Sequence, residues 1–222
     1  MGKNRLYEDD VLVIGLGRFG AEAALELHRL GHKVVAIEKD PHLAESFSGL
    51  LTRVILGDSS QPQAIEACRA SSYKLAVIGI GSSVEASILT AGNLIDAGIP
   101  SIWAKAVSTQ HARILERIGV HHVVRPEADS GRRVAHLVNG KMQDYIEFDD
   151  GYAIVKIAPP REMIGFTLAQ SQTRSKYGVT VVGVKAPGEG FTHAVPETKV
   201  TAQHTLIVSG PSELIERLAG RP

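Results

Sequence analysis

The sequence predicts an α/β protein: a doubly wound parallel sheet followed by a small α+β domain. Three observations predict it. From Val11 to about Asn139, short β-branched runs alternate with segments of helix length. A glycine-rich turn of the form G-x-G-x-x-G closes the first of those runs and opens the first helical segment. Beyond about Asp144 the alternation gives way to a β-α-β-β pattern, and that change of texture marks a second domain.

The strands of the first part read as Val11–Ile14, Lys33–Ile37, Arg53–Leu56, Leu75–Ile78, Ser101–Ala104 and His122–Val124. Each is a short, largely apolar run of the kind a sheet covered on both faces requires. Between them, Ala21–Leu30 stops at Gly31, a residue suited to the left-handed position that ends helices. Asp40 offers an N-cap with Pro41 in the first turn, and another helix starts near Pro62. Val84–Ala97 and Thr109–Ile118 end at Gly98 and Gly119. Asp129–Asn139 reads as a crossover helix, with no strand after it to rejoin the sheet. The second domain reads as a strand at Tyr152–Ala158, a helical stretch near Phe166–Arg174, strands at Val179–Lys185 and His204–Gly210, and a terminal helix from Ser212. The expected division is therefore 1–143, crossover helix included, and 144–222.

The chain has 222 residues, 44% of them hydrophobic and 5% aromatic, which suits one generous domain or two modest ones. Lys and Arg total 24 and Asp and Glu total 24, so no overall field favours nucleic acid or an anionic membrane. A single cysteine, Cys68, excludes an intrachain disulfide and suits a reducing compartment. The N-terminal "MGKNRLYEDD" lacks the apolar core of a signal peptide, and no apolar run approaches the ~20 residues of a membrane helix. A soluble cytosolic chain is expected, with any membrane role exercised through a partner.

The glycine turn, "VLVIGLGRFG", carries the strongest functional signal. In a Rossmann-type unit, Gly15 permits the tight turn, Gly17 lets backbone approach a pyrophosphate, and Gly20 allows close strand–helix packing. The helix that follows offers free N–H groups and a partial positive charge to the anion. Glu38 closes the second strand, where an acidic residue binds the hydroxyls of an adenosine ribose and repels a 2′-phosphate. Asp58, in "LGDSS", borders the adenine or caps a helix start. Leu16 and Phe19 of the turn, Lys39 after Glu38, Ser59 after Asp58 and Gly79 after the fourth strand complete the candidate nucleotide-binding set. Arg18 has two readings. It is either a solvent-facing charge that opposes the helix dipole, or a guanidinium that neutralises nucleotide phosphates. A terminal phosphate gains more from such a group than an internal pyrophosphate does, so Arg18 points to ATP or ADP alongside NAD.

Catalytic chemistry is harder to find. His193 and His204 have no evident partner, and Cys68 in "AIEACRA" reads as a buried mid-helix residue. His121 and His122 point to opposite faces of a strand, and Gly31 separates His28 from His32, so neither pair chelates a metal. Asp9–Asp10 and Asp149–Asp150 flank strands and read as solvated. G-x-S-x-G and G-K-[ST] are absent. A non-enzymatic protein is expected; an NAD-dependent oxidoreductase or redox sensor is the alternative.

Several stretches together carry a family resemblance: "VIGLGRFG", "LHRLGHKVVAIEKD", "IWAKA", "LERIGVHHVVRPEADSG" and "SKYGVTVVGVK". They resemble the cytosolic regulatory subunits of Ktr and Trk potassium-uptake systems, over nearly the whole chain. Such subunits contain an RCK (or KTN) nucleotide-binding domain followed by an RCK C-terminal domain. The resemblance implies a nucleotide sensor, peripheral to the inner face of the cell membrane. It implies dimers that assemble into an octameric gating ring beneath a potassium-translocating membrane dimer. ATP favours the active ring, ADP the inactive one, and NAD or NADH binds in parts of the family. Arg18 matches the family's phosphate-binding arginine, and Glu38 its ribose ligand, although many relatives carry Asp there. Lys105 matches the lysine after the fifth strand. Glu127 matches a glutamate that helps hold Mg2+ or Ca2+ near the ATP γ-phosphate.

Strand spacing adds a constraint. The sixth strand is expected three positions from the first, roughly 14 Å away at ~4.8 Å per strand. Glu127 is therefore expected to act on such a cation across a dimer interface or in a closed conformation. The crossover helix is expected to exchange between subunits. In some relatives the C-terminal domain binds cyclic di-AMP at a dimer interface. Ile164, Arg174, Tyr177 and His193 do not make a diagnostic set for it, and an apolar dimerisation module is the other reading.

Overall fold

The computed structural model describes residues 10–148 and 150–220. The polar N-terminal segment 1–9, with Asp9, and Asp149 lie outside the described residues. The first unit runs in strict alternation: β1 (Val11–Ile14), α1 (Arg18–Arg29), β2 (Val34–Glu38), α2 (Pro41–Phe47), β3 (Arg53–Leu56) and α3 (Pro62–Ala67). It continues with β4 (Leu75–Ile78), α4 (Val84–Asp96), β5 (Ser101–Lys105), α5 (Thr109–Ile118), β6 (His122–Val124) and α6 (Pro126–Leu137). The six strands are parallel in the order β3-β2-β1-β4-β5-β6, as the alternation predicted.

Side-chain alternation along each strand covers both faces of this sheet. Leu12, Ile14, Val35, Ile37, Ala76 and Ile78 enter one core with Ile65, Ala91, Leu94, Ala112 and Leu115 of α3, α4 and α5. Val11, Val13, Val34, Ala36 and Val77 enter the other with Ala24 of α1 and Leu51. The direction of winding reverses between β1 and β4, and a crevice opens there at the C-terminal ends of the strands.

Local signals explain most boundaries. Asp40 accepts hydrogen bonds from the N–H groups of His42 and Leu43 and so caps α2, with Pro41 at its first position. Gly31, Gly98 and Gly119 have φ of 98°, 76° and 103° and follow the helix ends they were expected to mark. Three expectations shift. Helix α1 begins at Arg18, not Ala21, because the glycine turn itself supplies the first turn of helix. Cys68 is the C-cap of the short α3, not a mid-helix residue; it is buried, and its thiol donates to the Ile65 carbonyl. Helix α6 begins at Pro126, a residue pre-set for a first helical position, which places Glu127 in its first turn.

The chain divides into compact units between Glu127 and Ala128, earlier than the boundary expected at 143. The second unit therefore takes most of α6, followed by β7 (Met142–Glu147), β8 (Tyr152–Ile157), α7 (Leu168–Ser171) and α8 (Thr173–Tyr177). It ends with β9 (Thr180–Lys185), β10 (Phe191–His193), β11 (Thr205–Pro211) and α9 (Ser212–Ala219). Its antiparallel sheet runs β10-β9-β11-β8-β7. Strand β7 escapes the apolar pattern because Asp144 and Glu147 interrupt it; only Met142 and Tyr145 of that strand are buried. The expected helix near 166–174 is two short helices, split where Gln172 adopts φ 48°. One face of the sheet packs Val155, Ile157, Val184, Leu206 and Val208 against Ile215 and Leu218 of α9.

Candidate nucleotide cleft

The glycine turn is a close-packed joint. Gly15 has φ +83°, a conformation that penalises any Cβ. A Cβ on Gly20 would lie 1.9 Å from the Gly15 carbonyl oxygen, and one on Gly79 would lie 2.8 Å from Gly20 Cα. These three glycines let β1, α1 and the end of β4 meet backbone to backbone. Gly17 differs, because a Cβ there would meet nothing within 4 Å. Gly17 is the N-cap of α1, has no side chain to bond the helix, and is followed by no acidic residue in the first turn. The orphan N–H groups of that turn are free to meet an anion.

The cleft above this joint has a volume of about 340 Å³. Gly15, Gly17, Arg18 and Phe19 wall it from the first turn of α1 and the loop before it, and Glu38, Lys39, Asp40 and Leu43 from β2 and α2. Gly57, Asp58 and Ser59 follow β3, Gly79 to Ser82 follow β4, and Lys105 ends β5. Ten of the twelve expected nucleotide residues thus share one cleft. Leu16 turns its side chain into the core, and Gly20 lies beneath the floor as a packing residue. Leu43, Ile80, Gly81, Ser82 and Ala86 were not foreseen, and only the "GIGSS" stretch, a second glycine turn, could have announced some of them.

Glu38 is buried at 6% exposure and accepts two backbone hydrogen bonds, from Leu16 N (2.5 Å) and Asp40 N (2.9 Å). It thereby ties the glycine turn to the end of β2. Each carboxylate oxygen keeps a further lone pair for a hydroxyl donor. Asp58 Oδ1 accepts from Ser60 N and Ser60 Oγ at 3.0 and 2.7 Å; these bonds, the side-chain one foremost, hold its carboxyl below the usual carboxylate range.

Lys105 is buried, and its Nζ donates to Glu127 Oε1 at 2.5 Å. This bond holds the exposed Glu127 carboxyl below its ordinary value, with smaller help from its own backbone N–H and from the charges of Lys105 and Arg18. Glu127 therefore meets the cleft through Lys105, within one chain. Among the described residues no three His, Cys, Asp or Glu side chains cluster as metal ligands, so Glu127 alone forms no metal site. In the second unit, a cavity of about 480 Å³ is lined by Arg174, Leu168, Gln172, Thr173, Val179 and Val195 among others. Arg174 lies on it; Ile164, Tyr177 and His193 do not. No described helix is long and apolar enough to cross a membrane.

Comparison with known proteins agrees with this layout. Residues 11–126 match the TrkA-N domain model and residues 152–220 the TrkA-C domain model. The chain is 29% identical to Ktr system potassium uptake protein A of Bacillus subtilis over 96% of both chains. It is 30% identical to Ktr system potassium uptake protein C of the same organism, over 94% of this chain and 95% of that one. Among solved structures, the GsuK RCK domain aligns with all of this chain and 49% of its own, with TM-score 0.67 and 17% identity. The GsuK channel bound to NAD aligns with all of this chain and 41% of its own, with TM-score 0.67 and 16% identity. This chain thus spans about half or less of those channel chains and shares their fold. The first model takes in the parallel six-stranded unit with its glycine turn and the second takes in most of the small antiparallel unit: the chain belongs to the family of TrkA-N/TrkA-C potassium-uptake proteins.

Proposed function

We propose that the chain is the cytosolic, non-enzymatic, nucleotide-sensing regulatory subunit of a potassium uptake system. It acts as a homodimer that builds an octameric ring on a potassium-translocating membrane subunit. The relatives' names supply the potassium-uptake context. One observation carries the sensing role: three cationic residues, Arg18, Lys39 and Lys105, line the same cleft as the open N-terminus of α1. That is more positive charge than a dinucleotide pyrophosphate needs, and it suits a chain of phosphates that differs between ATP and ADP.

Within this reading, Gly17 and the first turn of α1 receive phosphates through backbone N–H groups, while the Gly15 N–H stays bonded to the Ile37 carbonyl; Glu38 holds the ribose hydroxyls, and Asp58 borders the base. NAD or NADH fits the same adenosine contacts. Mg2+ or Ca2+ bound with ATP would take Glu127 as one ligand and draw the others from phosphate, water or a second subunit. The expected trans action of Glu127 then becomes a choice of partner, because Lys105 engages the same carboxylate in cis. Arg174 and the largely apolar walls of its cavity support cyclic di-AMP binding at the second unit.

Light scattering after size exclusion, with ATP, ADP and NADH in turn, tests the proposal. A ring-sized assembly whose shape depends on the γ-phosphate is expected. A small dimer that turns over NADH and ignores ATP would sink it in favour of the oxidoreductase.

A further inference from the structure

We infer that Thr90 and Asn93 of α4 are positioning residues that make the cleft selective for the 6-amino group of adenine, acting through the turn that carries Asp58. The inference rests on the nucleotide reading above and adds what reads the base.

Neighbouring strand ends are ~4.8 Å apart, so a nucleotide on this edge is read in steps. With phosphates at the end of β1 and ribose at Glu38 on β2, the base falls at the end of β3, where Gly57, Asp58 and Ser59 stand. Adenine presents an exocyclic amino donor there. Asp58 is a matching acceptor: Ser60 occupies Oδ1 twice, and Oδ2 has no hydrogen bond among the described residues.

An acceptor on a turn selects only if the turn stays put. Three hydrogen bonds from one helix hold it. Ser59 Oγ and Thr90 Oγ1 lie 2.8 Å apart, with Ser59 at 5% exposure and Thr90 at 0%. Asn93 Nδ2 donates to the carbonyls of Ser59 at 3.0 Å and Ser60 at 3.1 Å. A buried hydroxyl pair and a bridging amide have few alternative partners, so the 58–60 turn has one low-energy placement. Neither Thr90 nor Asn93 lines the cleft, so both act through Asp58.

Binding of ATP and of purine riboside triphosphate, which lacks only the amino group, tests this by titration calorimetry. The wild-type chain is expected to favour ATP about tenfold or more, the worth of one hydrogen bond to a charged group. Asp58→Ala is expected to abolish that preference. Thr90→Val and Asn93→Leu are expected to cut it to about threefold or less, with the ATP-to-ADP ratio unchanged. Because Thr90 is fully buried, Asn93→Leu carries the test if Thr90→Val melts early. Loss of affinity for ATP and the analogue in parallel, with the wild-type ratio kept, would mean that Thr90 and Asn93 only knit the fold. Equal binding of both by the wild type overturns this inference and leaves the nucleotide reading standing. No uptake of ATP at all overturns the nucleotide reading itself.

Discussion

Lys105 Nζ and Glu127 Oε1 lie 2.5 Å apart, and their bond joins the last residue of β5 to the first turn of α6. Only 9% of the lysine side chain is exposed, against 63% of the glutamate. The ammonium is therefore committed to the cleft, while the carboxylate can turn to solvent or to another ligand. Glu127→Gln is expected to abolish the Mg2+ or Ca2+ dependence of ATP binding in calorimetry. Unchanged dependence would leave Glu127 as a counter-ion of Lys105 and nothing more. Lys105→Met is expected to weaken ATP about tenfold, since a charge-assisted phosphate contact disappears.

Arg18 differs from Lys105 in being exposed. Arg18→Ala should leave the melting temperature nearly unchanged, because an exposed cation at a helix start contributes little to stability. Its ATP affinity should fall more than its NADH affinity. Equal losses would remove the γ-phosphate role.

Two glycines of the same turn should respond in opposite ways. Gly20→Ala pushes a methyl group to 1.9 Å from the Gly15 carbonyl, so a loss of about 3 kcal/mol in urea unfolding is expected. Gly17→Ala meets open space, and stability should stay within ~0.5 kcal/mol. Its methyl group would stand where phosphates approach, so nucleotide affinity should fall while the fold survives.

His111 sets a pH dependence for the first unit. It is 1% exposed, its Nδ1 accepts from Val107 N, and Nε2 has no hydrogen-bond partner among the described residues. Burial holds its imidazole below the ordinary 6.5. Below about pH 6.5 the unfolded chain therefore takes up a proton that the folded chain refuses, and stability drops as pH falls. Above that value the contribution is flat. The melting temperature should fall from pH 7.5 to 5.5, and His111→Asn should reduce that fall by keeping an acceptor for Val107 without a titrating ring.

The first unit was legible because its signals are local and repeated. Each strand is a short apolar run, and Asp40-Pro41, Gly31, Gly98 and Gly119 punctuate the helices by mechanisms that need no tertiary context. The glycine turn and Glu38 announced the cleft for the same reason. Strand β7 was not legible, because Asp144 and Glu147 break its pattern and only pairing with β8 makes it a strand. The split at Gln172 was hidden too, since nothing in a glutamine demands φ 48°. Thr90 and Asn93 read as ordinary helix residues; their partners Ser59 and Ser60 are about thirty positions away in sequence. Lys105 and Glu127 were each singled out, but their contact emerges only when β5 and β6 lie side by side.

Helix α6 has no buried residue along its twelve positions; Val134 on it is 55% exposed and Val138, just past its end, 75%. Its ties are few: Leu137 at its end packs against the core of the second unit, Arg133 pairs with Asp144, and the His136 ring stacks on Tyr145 and lies 3.1 Å from Glu216. In an isolated chain, such a helix should open to deuterium long before α9, which anchors Ile215 and Leu218 in a core. Slow exchange along α6 in the assembled protein would then measure how much shelter a neighbouring molecule lends it.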